Sequence, residues 1–389
     1  MLWLHVYELV SRDVIMRNWQ KIRKDFPVTK SYTYLANAAV SPTPRPVVQE
    51  ILKFYNDMLN HAGSRWPDWI KEMEQARDRY AKFINASSDE VGFTHSTSEG
   101  MNIIAHMLHA KGTVISNELE FPSSVLPWLN RGSYIHFVKS KNGRILKQDI
   151  SDAINSKTKS VVISHVQYST GFRQDLVDLG ELTRKHGLFL IVNPTQSLGA
   201  LHFDVKEFNV DFMASDGHKW LLSSFGIGAI FVKREYLENV FEFHPPFYSQ
   251  LGQKERDVFD NSKINMSATA SRFELGSPHF SNILSLKAAI EYISKIGIKN
   301  IERRILHLTS YLIQKLAELD LEIISPLEQE KYRSGIIVFR MRSAEEIVRK
   351  LERKRIIVSA RGGGIRVSPH FYNNEKDIDL FIQGIRTLI

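Results

Sequence analysis

The sequence predicts an α/β protein: a large domain built on a mostly parallel sheet, followed by a smaller α+β domain. Two observations carry the first part. Short β-rich runs recur at Gly112 to Ser116, Ser160 to His165, Leu188 to Val192, Asp211 to Ala214 and Gly228 to Val232. Amphipathic segments lie between several of them, such as Leu176 to His186, with apolar residues at 176, 179 and 182. Near-continuous apolar strands alternating with helices are what a parallel sheet covered on both faces requires.

A change of pattern carries the second part. From about Ser281 the chain reads as a helix over Ile283 to Ile296, another helix to about Leu319, and short strands around Ile336 to Arg340 and Ile365 to Ser368. The periodic, charged stretch Ala344 to Lys354 lies between those strands, and Asn374 to Leu388 closes the chain. The expected division is residues 1–40 as an N-terminal segment joining the small domain, 41–277 as the large domain and 278–389 as the small one. Neither an internal repeat nor a low-complexity linker interrupts this.

Composition narrows the chemistry. The 389 residues are 43% hydrophobic and 24% charged, a balance suited to a globular protein with a sizeable core. The absence of cysteine removes disulfides, thiolate metal sites and cysteine nucleophiles, and no metal site is expected. The net charge of +8 is spread as mixed Lys, Arg and Glu without a single basic tract, which argues against a nucleic-acid partner. No stretch approaches the roughly 20 apolar residues that span a bilayer. Met1 to Val14 is interrupted by His5, Glu8, Arg12 and Asp13, so neither a leader nor a membrane anchor is expected, and the location expected is cytoplasmic. Residues 1–15 precede the recognisable pattern and read as an extension or an alternative start.

Ligands in open α/β sheets bind beyond the carboxyl ends of the strands. Four polar clusters follow predicted strands and should converge there: Asn117 to Phe121, His165 to Thr170, Asn193 to Gln196 and Ser215 to Lys219. Lys219 is followed by Trp220, Leu221 and Leu222, whose burial would draw its ammonium away from water and lower its pKa. A lysine that sheds its proton near neutrality is an amine nucleophile able to form a Schiff base with an aldehyde, and pyridoxal phosphate is the usual one. Taken alone, the segment Ser215 to Leu222 also describes a lysine snorkelling from a strand end. The hydroxyl-rich segment Thr94 to Asn102 runs into an apolar helix and offers either an anion site or an ordinary helix cap.

At this point an ordered set of motifs resembles a known family. Tyr34-Leu-Ala-Asn-Ala-Ala39, Ser96-Thr-Ser-Glu-Gly-Met-Asn102, Glu120-Phe-Pro-Ser-Ser-Val-Leu-Pro-Trp128, Gln196, Gly217-His-Lys-Trp220, Arg272-Phe-Glu-Leu-Gly276 and Arg366-Val-Ser-Pro-His-Phe-Tyr-Asn373 occur in that order. The chain is similar, from Trp19 to its end, to the class V aminotransferases of fold-type I pyridoxal phosphate enzymes, which include cysteine desulfurases, selenocysteine lyases and isopenicillin N epimerase. The resemblance implies a seven-stranded type of sheet, pyridoxal 5'-phosphate as cofactor and Lys219 as the catalytic residue that binds it. It implies that Ser98, the Glu99 backbone and His218 hold the phosphate, that Phe121 stacks on the ring, and that Gln196 meets the phenolic oxygen. Arg366 would clamp the substrate carboxylate with help from Arg361, in keeping with a guanidinium's planar fork of donors. Ser277 would reach the partner's phosphate in a homodimer with shared active sites.

Three departures stand out. Asn193 occupies the place where relatives have an aspartate beside the pyridine nitrogen. A carboxylate about 4 Å away is worth roughly 4 kcal/mol to that proton, so a neutral amide should lower the ring nitrogen's pKa by about two to three units. Asp216 stands where relatives have a phosphate-binding serine, so either Ser215 substitutes by a one-residue shift or Asp216 points away. Tyr168 stands where desulfurases have an asparagine, free either to donate its hydroxyl to the cofactor or simply to pack.

Without cysteine, and with no room in Ser359 to Arg366 for a cysteine-bearing loop, a persulfide-forming desulfurase is excluded. The expected function is a pyridoxal phosphate enzyme acting on an amino acid through a Lys219 Schiff base: an aminotransferase, or a cysteine or selenocysteine lyase needing no persulfide cysteine. An epimerase or racemase resembling isopenicillin N epimerase is a second reading. A cofactor-binding protein with impaired catalysis is a third. The loop Phe243 to Ser249 is a candidate to line the substrate pocket.

Overall fold

In the computed structural model, residues 19–108, 112–237 and 267–388 are described. Strand β1 is Thr33–Tyr34, β2 Val91–Thr94, β3 Thr113–Asn117, β4 Ile135–Val138, β5 Thr158–Ser164, β6 Phe189–Asn193, β7 Phe212–Asp216 and β8 Gly228–Val232. In the last third, β9 is Ile337–Arg340, β10 Ile356–Ile357, β11 Ser359–Arg361 and β12 Gly364–Val367.

A seven-stranded sheet of order β2-β8-β7-β6-β5-β3-β4 forms the large domain. Strands β4, β3, β5, β6 and β7 run parallel. β8 runs antiparallel to both β7 and β2, because the segment joining β7 to β8 contains no crossover helix and folds straight back. Successive side chains point to opposite faces, and both faces are buried. Val114, Val162 and Ile191 pack with Met101, Ile104 and Trp128 on one side. Their neighbours Ile115, Val161, Ile163, Leu190 and Val192 pack with Leu176, Leu179 and Leu182 on the other.

The five central strands predicted from sequence are present, with ends displaced by at most two residues. Strands β2 and β4 lie at the two sheet margins. Sequence pattern revealed neither: β2 is a four-residue run, and the inner residues His136 and Phe137 of β4 are exposed. The helix Thr97–Leu108 packs closely on β7: a β-carbon on Gly100 would fall 2.6 Å from that of Ala214.

The last third holds the antiparallel sheet β11-β12-β9, with Leu308, Leu312, Leu351 and Phe381 of three helices in its core. β1 pairs in parallel with β10, so the N-terminal segment is woven into this part of the fold. β11 and β12 are joined by two residues, Gly362 and Gly363, with φ of +64° and +80°. Two consecutive left-handed residues make the tight turn that suits strand twist, and glycine occupies such positions without steric cost. A β-carbon on Gly362 would lie 2.0 Å from the Ser169 carbonyl oxygen, so the hairpin tip rests on the loop after β5.

Candidate active site

The loop after β7 is closed on itself. Gly217 donates to the Ile227 carbonyl at 2.9 Å, Leu222 to that of Lys219 at 2.9 Å and Ser223 to that of Gly217 at 2.9 Å. Leu222 takes φ +61°, a left-handed conformation that costs a leucine on the order of 1 kcal/mol and is repaid by burial of its side chain. Trp220, Leu221 and Leu222 are at most 1% exposed and anchor the loop beneath Lys219. Burial therefore lowers the Lys219 pKa below its ordinary value; the Asp216 carboxylate opposes that shift and the Arg366 guanidinium adds to it.

Around the amine, the ends of neighbouring strands meet. The Lys219 Nζ lies 5.6 Å from the centre of the Phe121 ring. Phe121 in turn meets Tyr168 edge to face at 5.2 Å. Arg366 donates from Nη1 to the Tyr168 carbonyl at 3.0 Å and from Nε to Ser359 Oγ at 3.1 Å. It is 3% exposed, and no carboxylate pairs with it among the described residues. Burial, with the neighbouring Arg361 charge, pushes its pKa down to about 10. Arg361 is exposed and donates to its neighbour's carbonyl, Ala360, at 3.1 Å. The sequence thus brings Lys219, Phe121, Tyr168 and Arg366 into one constellation from loops after three strands and from β12.

Beneath them, Asn193 Nδ2 donates to Ser124 Oγ at 3.0 Å while Asn193 Oδ1 accepts from Thr195 N at 3.1 Å. Gln196 Nε2 donates to the Ala38 carbonyl and Gln196 Oε1 accepts from the Trp220 indole, both at 3.0 Å. Asp216 turns to His218, whose Nδ1 lies 2.8 Å from Asp216 Oδ1; Gly217 N donates to the same oxygen at 3.1 Å. The His218 ring stacks on Phe225 at 4.4 Å.

Ser98 is exposed at the start of the helix Thr97–Leu108 and, with Asn102 and Phe121, lines a cavity of about 660 Å³. The Glu99 N–H, expected to face an anion, donates to Ser96 Oγ at 3.2 Å. Ser215 is fully buried and its hydroxyl shares a hydrogen bond with that of Tyr80. Ser277 is exposed and lines a separate cleft with His95, Gly226 and His279. The loop 243–249 and residues 1–15 lie outside the described residues.

Sequence reasoning assigned no role to Glu120, Ser124 or the Trp220 indole. Glu120, 7% exposed, accepts from Asn117 Nδ2 at 3.0 Å, Ser164 N at 2.6 Å, Ser164 Oγ at 2.6 Å and Gln167 Nε2 at 2.8 Å. It ties the ends of β3 and β5 together beside Phe121 and Tyr168. A carboxylate three residues after the asparagine that ends β3 was the available signal for it; Ser124 left none.

A desolvated lysine in the turn that follows β7 of such a sheet places the protein among the fold-type I pyridoxal phosphate-dependent enzymes. More narrowly, the aminotransferase class-V family model matches residues 33–381, and the chain belongs to that family. It is 28% identical to a probable cysteine desulfurase of Pyrococcus abyssi, covering 96% of this chain and 98% of that protein. It is 28% identical to the uncharacterized aminotransferase YcbU of Bacillus subtilis, covering 92% and 95%. Among solved structures, the apo cysteine desulfurase of Thermococcus onnurineus superposes with a TM-score of 0.85 at 25% identity, covering 95% of this chain and 97% of that one.

Proposed function

We propose that the chain acts on an amino acid with pyridoxal 5'-phosphate on Lys219, as an aminotransferase or as a lyase that releases the side-chain group directly. The observation that carries this reading is Arg366, a buried guanidinium without a carboxylate partner among the described residues, beside a lysine whose pKa burial lowers. A guanidinium held that way is an anion site waiting for a ligand carboxylate, since a buried charge is otherwise costly.

The residues suit the cofactor. Lys219 can capture an aldehyde, the Phe121 ring can cover one face, and Ser98 and His218 can reach a phosphate. Bound there, pyridoxal phosphate would supply the carbonyl that takes up an amino group and a conjugated ring that draws electrons from Cα. The protein's own part is to orient: Arg366 fixes the carboxylate end of the substrate, Phe121 and Tyr168 exclude water, and Lys219, freed of its proton, can take up or return one at Cα.

The tight Gly362-Gly363 turn and the cysteine-free sequence argue against a persulfide carried on this chain. Asn193 favours a second reading, an epimerase or racemase, because it supplies no carboxylate to hold a proton on the pyridine nitrogen and so suits reactions that ask less of the ring. We further propose a homodimer. Val48, Leu52, Tyr55 and Leu59, spaced four, three and four residues apart on the helix Arg45–His61, form an exposed apolar stripe, and exposed Ser277 is placed to reach a partner's phosphate.

The test is to reconstitute the purified protein with pyridoxal phosphate, trap with borohydride and map the adduct, then screen L-amino acids for keto acid, released sulfur or selenium, and inverted enantiomer. An adduct on Lys219 with one of these products is the expected result. No adduct at Lys219 removes the proposal, and an adduct with none of these products leaves a cofactor-binding protein.

A further inference from the structure

The orientation of the Gln196 amide is decided by two groups of opposite kind. The Trp220 indole can only donate, and it lies 3.0 Å from Gln196 Oε1. The Ala38 carbonyl can only accept, and it lies 3.0 Å from Gln196 Nε2. Turning the amide over would set NH2 against N–H at one end and oxygen against oxygen at the other. Gln196 is only 8% exposed, so water could not relieve both clashes. The side chain is left with one uncommitted Nε2 hydrogen.

Trp220 is itself fixed on every side. It is fully buried, and a β-carbon on Gly335 would come within 2.5 Å of the indole Cη2. Its carbonyl accepts from His370 Nε2 at 3.2 Å and would lie 2.2 Å from a β-carbon on Gly199, a residue at φ +99°. Gly335 thus leaves room for the indole itself, Gly199 and His370 hold the Trp220 carbonyl, and the His370 ring lies 5.2 Å from the indole, so ring and backbone are both confined. Its only polar atom on the ring is spent on Gln196.

We infer that Trp220 is a positioning residue whose indole N–H holds Gln196 with its amide nitrogen, and not its oxygen, available to the phenolic oxygen of the coenzyme. This inference rests on the reading that Lys219 carries pyridoxal phosphate with Gln196 beside that oxygen. A hydrogen bond donated to the phenolic oxygen stabilises its anionic form and weakens its hold on the proton shared with the lysine linkage. An amide oxygen in the same place would repel the anion and strengthen that hold. Trp220 therefore tunes the coenzyme without touching it.

The experiment is a pH titration of the visible absorption of the reconstituted protein, comparing wild type with Trp220→Phe, Gln196→Met and the double variant. A protein carrying benzothienylalanine at position 220, which keeps the shape of the indole and lacks its N–H, guards against a folding defect in Trp220→Phe. The expected result is a midpoint raised by about one pH unit in each single variant and in the analogue, with no further rise in the double variant. A midpoint unchanged in the analogue overturns the inference while leaving the coenzyme reading intact. A wild-type protein that takes up no coenzyme overturns that reading, and this inference with it.

Discussion

The Arg366 guanidinium lies 3.0 Å from the Tyr168 carbonyl, a contact between residues 198 positions apart that joins β12 to the loop after β5. One edge of the fork is thereby held by protein, and the charge still lacks a counter-ion among the described residues. The contact explains how a cation survives at 3% exposure: its position is set by neutral acceptors, and its charge is left for a ligand.

Substitution of this residue should separate binding from folding. In Arg366→Gln the substrate carboxylate loses a charge-assisted pair, and kcat/KM should fall by about 100-fold or more, corresponding to about 3 kcal/mol. Arg366→Lys should recover little of it, because a point charge cannot reproduce a fork. Steady-state kinetics on whichever substrate the screen identifies, with coenzyme content measured in parallel, gives the answer; wild-type KM in both variants would remove Arg366 from the site.

The Lys219 amine should respond to its two charged neighbours in opposite directions. Burial lowers its pKa first, Asp216 opposes and Arg366 assists. Asp216→Asn should lower the pKa further, and Arg366→Gln should raise it. The pH dependence of borohydride trapping at Lys219 reports both shifts. Movement in the same direction in the two variants would contradict the electrostatic account.

Glu120 should matter to stability more than its distance from the reacting atoms would imply. Its oxygens receive four donors, and a glutamine would turn an NH2 group toward some of them. Glu120→Gln should cost about 2–3 kcal/mol of unfolding free energy, read from urea denaturation. A loss below about 0.5 kcal/mol would show that the loops after β3 and β5 are held by other means.

Two buried histidines should contribute to the loss of stability on the acid side. Burial lowers the pKa of His165 well below its ordinary value, and that of His370 to about 3. Between about pH 6.5 and those lowered values the unfolded chain binds more protons than the folded one. Their contribution is thus present above about pH 6.5 and is lost as the pH falls, at up to roughly 1.4 kcal/mol per pH unit for each residue. Urea midpoints at neutral pH and at about pH 5 should differ, and the difference should shrink in His370→Gln.

Asn193 can become aspartate without disturbing its neighbours. A carboxylate still accepts from Thr195 N, and the Ser124 hydroxyl can rotate from acceptor to donor. Asn193→Asp should therefore fold normally, bind pyridoxal phosphate more tightly and change its absorption. Unchanged spectra and turnover would show that the amide does not limit the chemistry.

Much of the fold was legible because burial on both faces leaves long apolar strands, and their spacing from helices such as Leu176–Lys185 marks a parallel sheet. The margins were less visible, since β4 exposes its middle residues. For the site, Lys219 could be picked out as a charge set against an apolar run, whereas Arg366 was reached only through the family resemblance. Ser215 could not be placed, because a serine at a strand end faces either the cavity or the core. One residue of register separates the two, and here the hydroxyl faces Tyr80.

By itself the sequence determined the five central strands, the absence of thiols and the identity of the amine that is drawn out of water, all of which depend on local residue type and spacing. Only the tertiary structure decided which way Asp216 and Gln196 turn, and that Arg366 goes without a carboxylate. Those outcomes depend on partners such as His218, Trp220 and Tyr168, and a hydrogen bond's direction follows from which donors and acceptors the folded chain brings within about 3 Å.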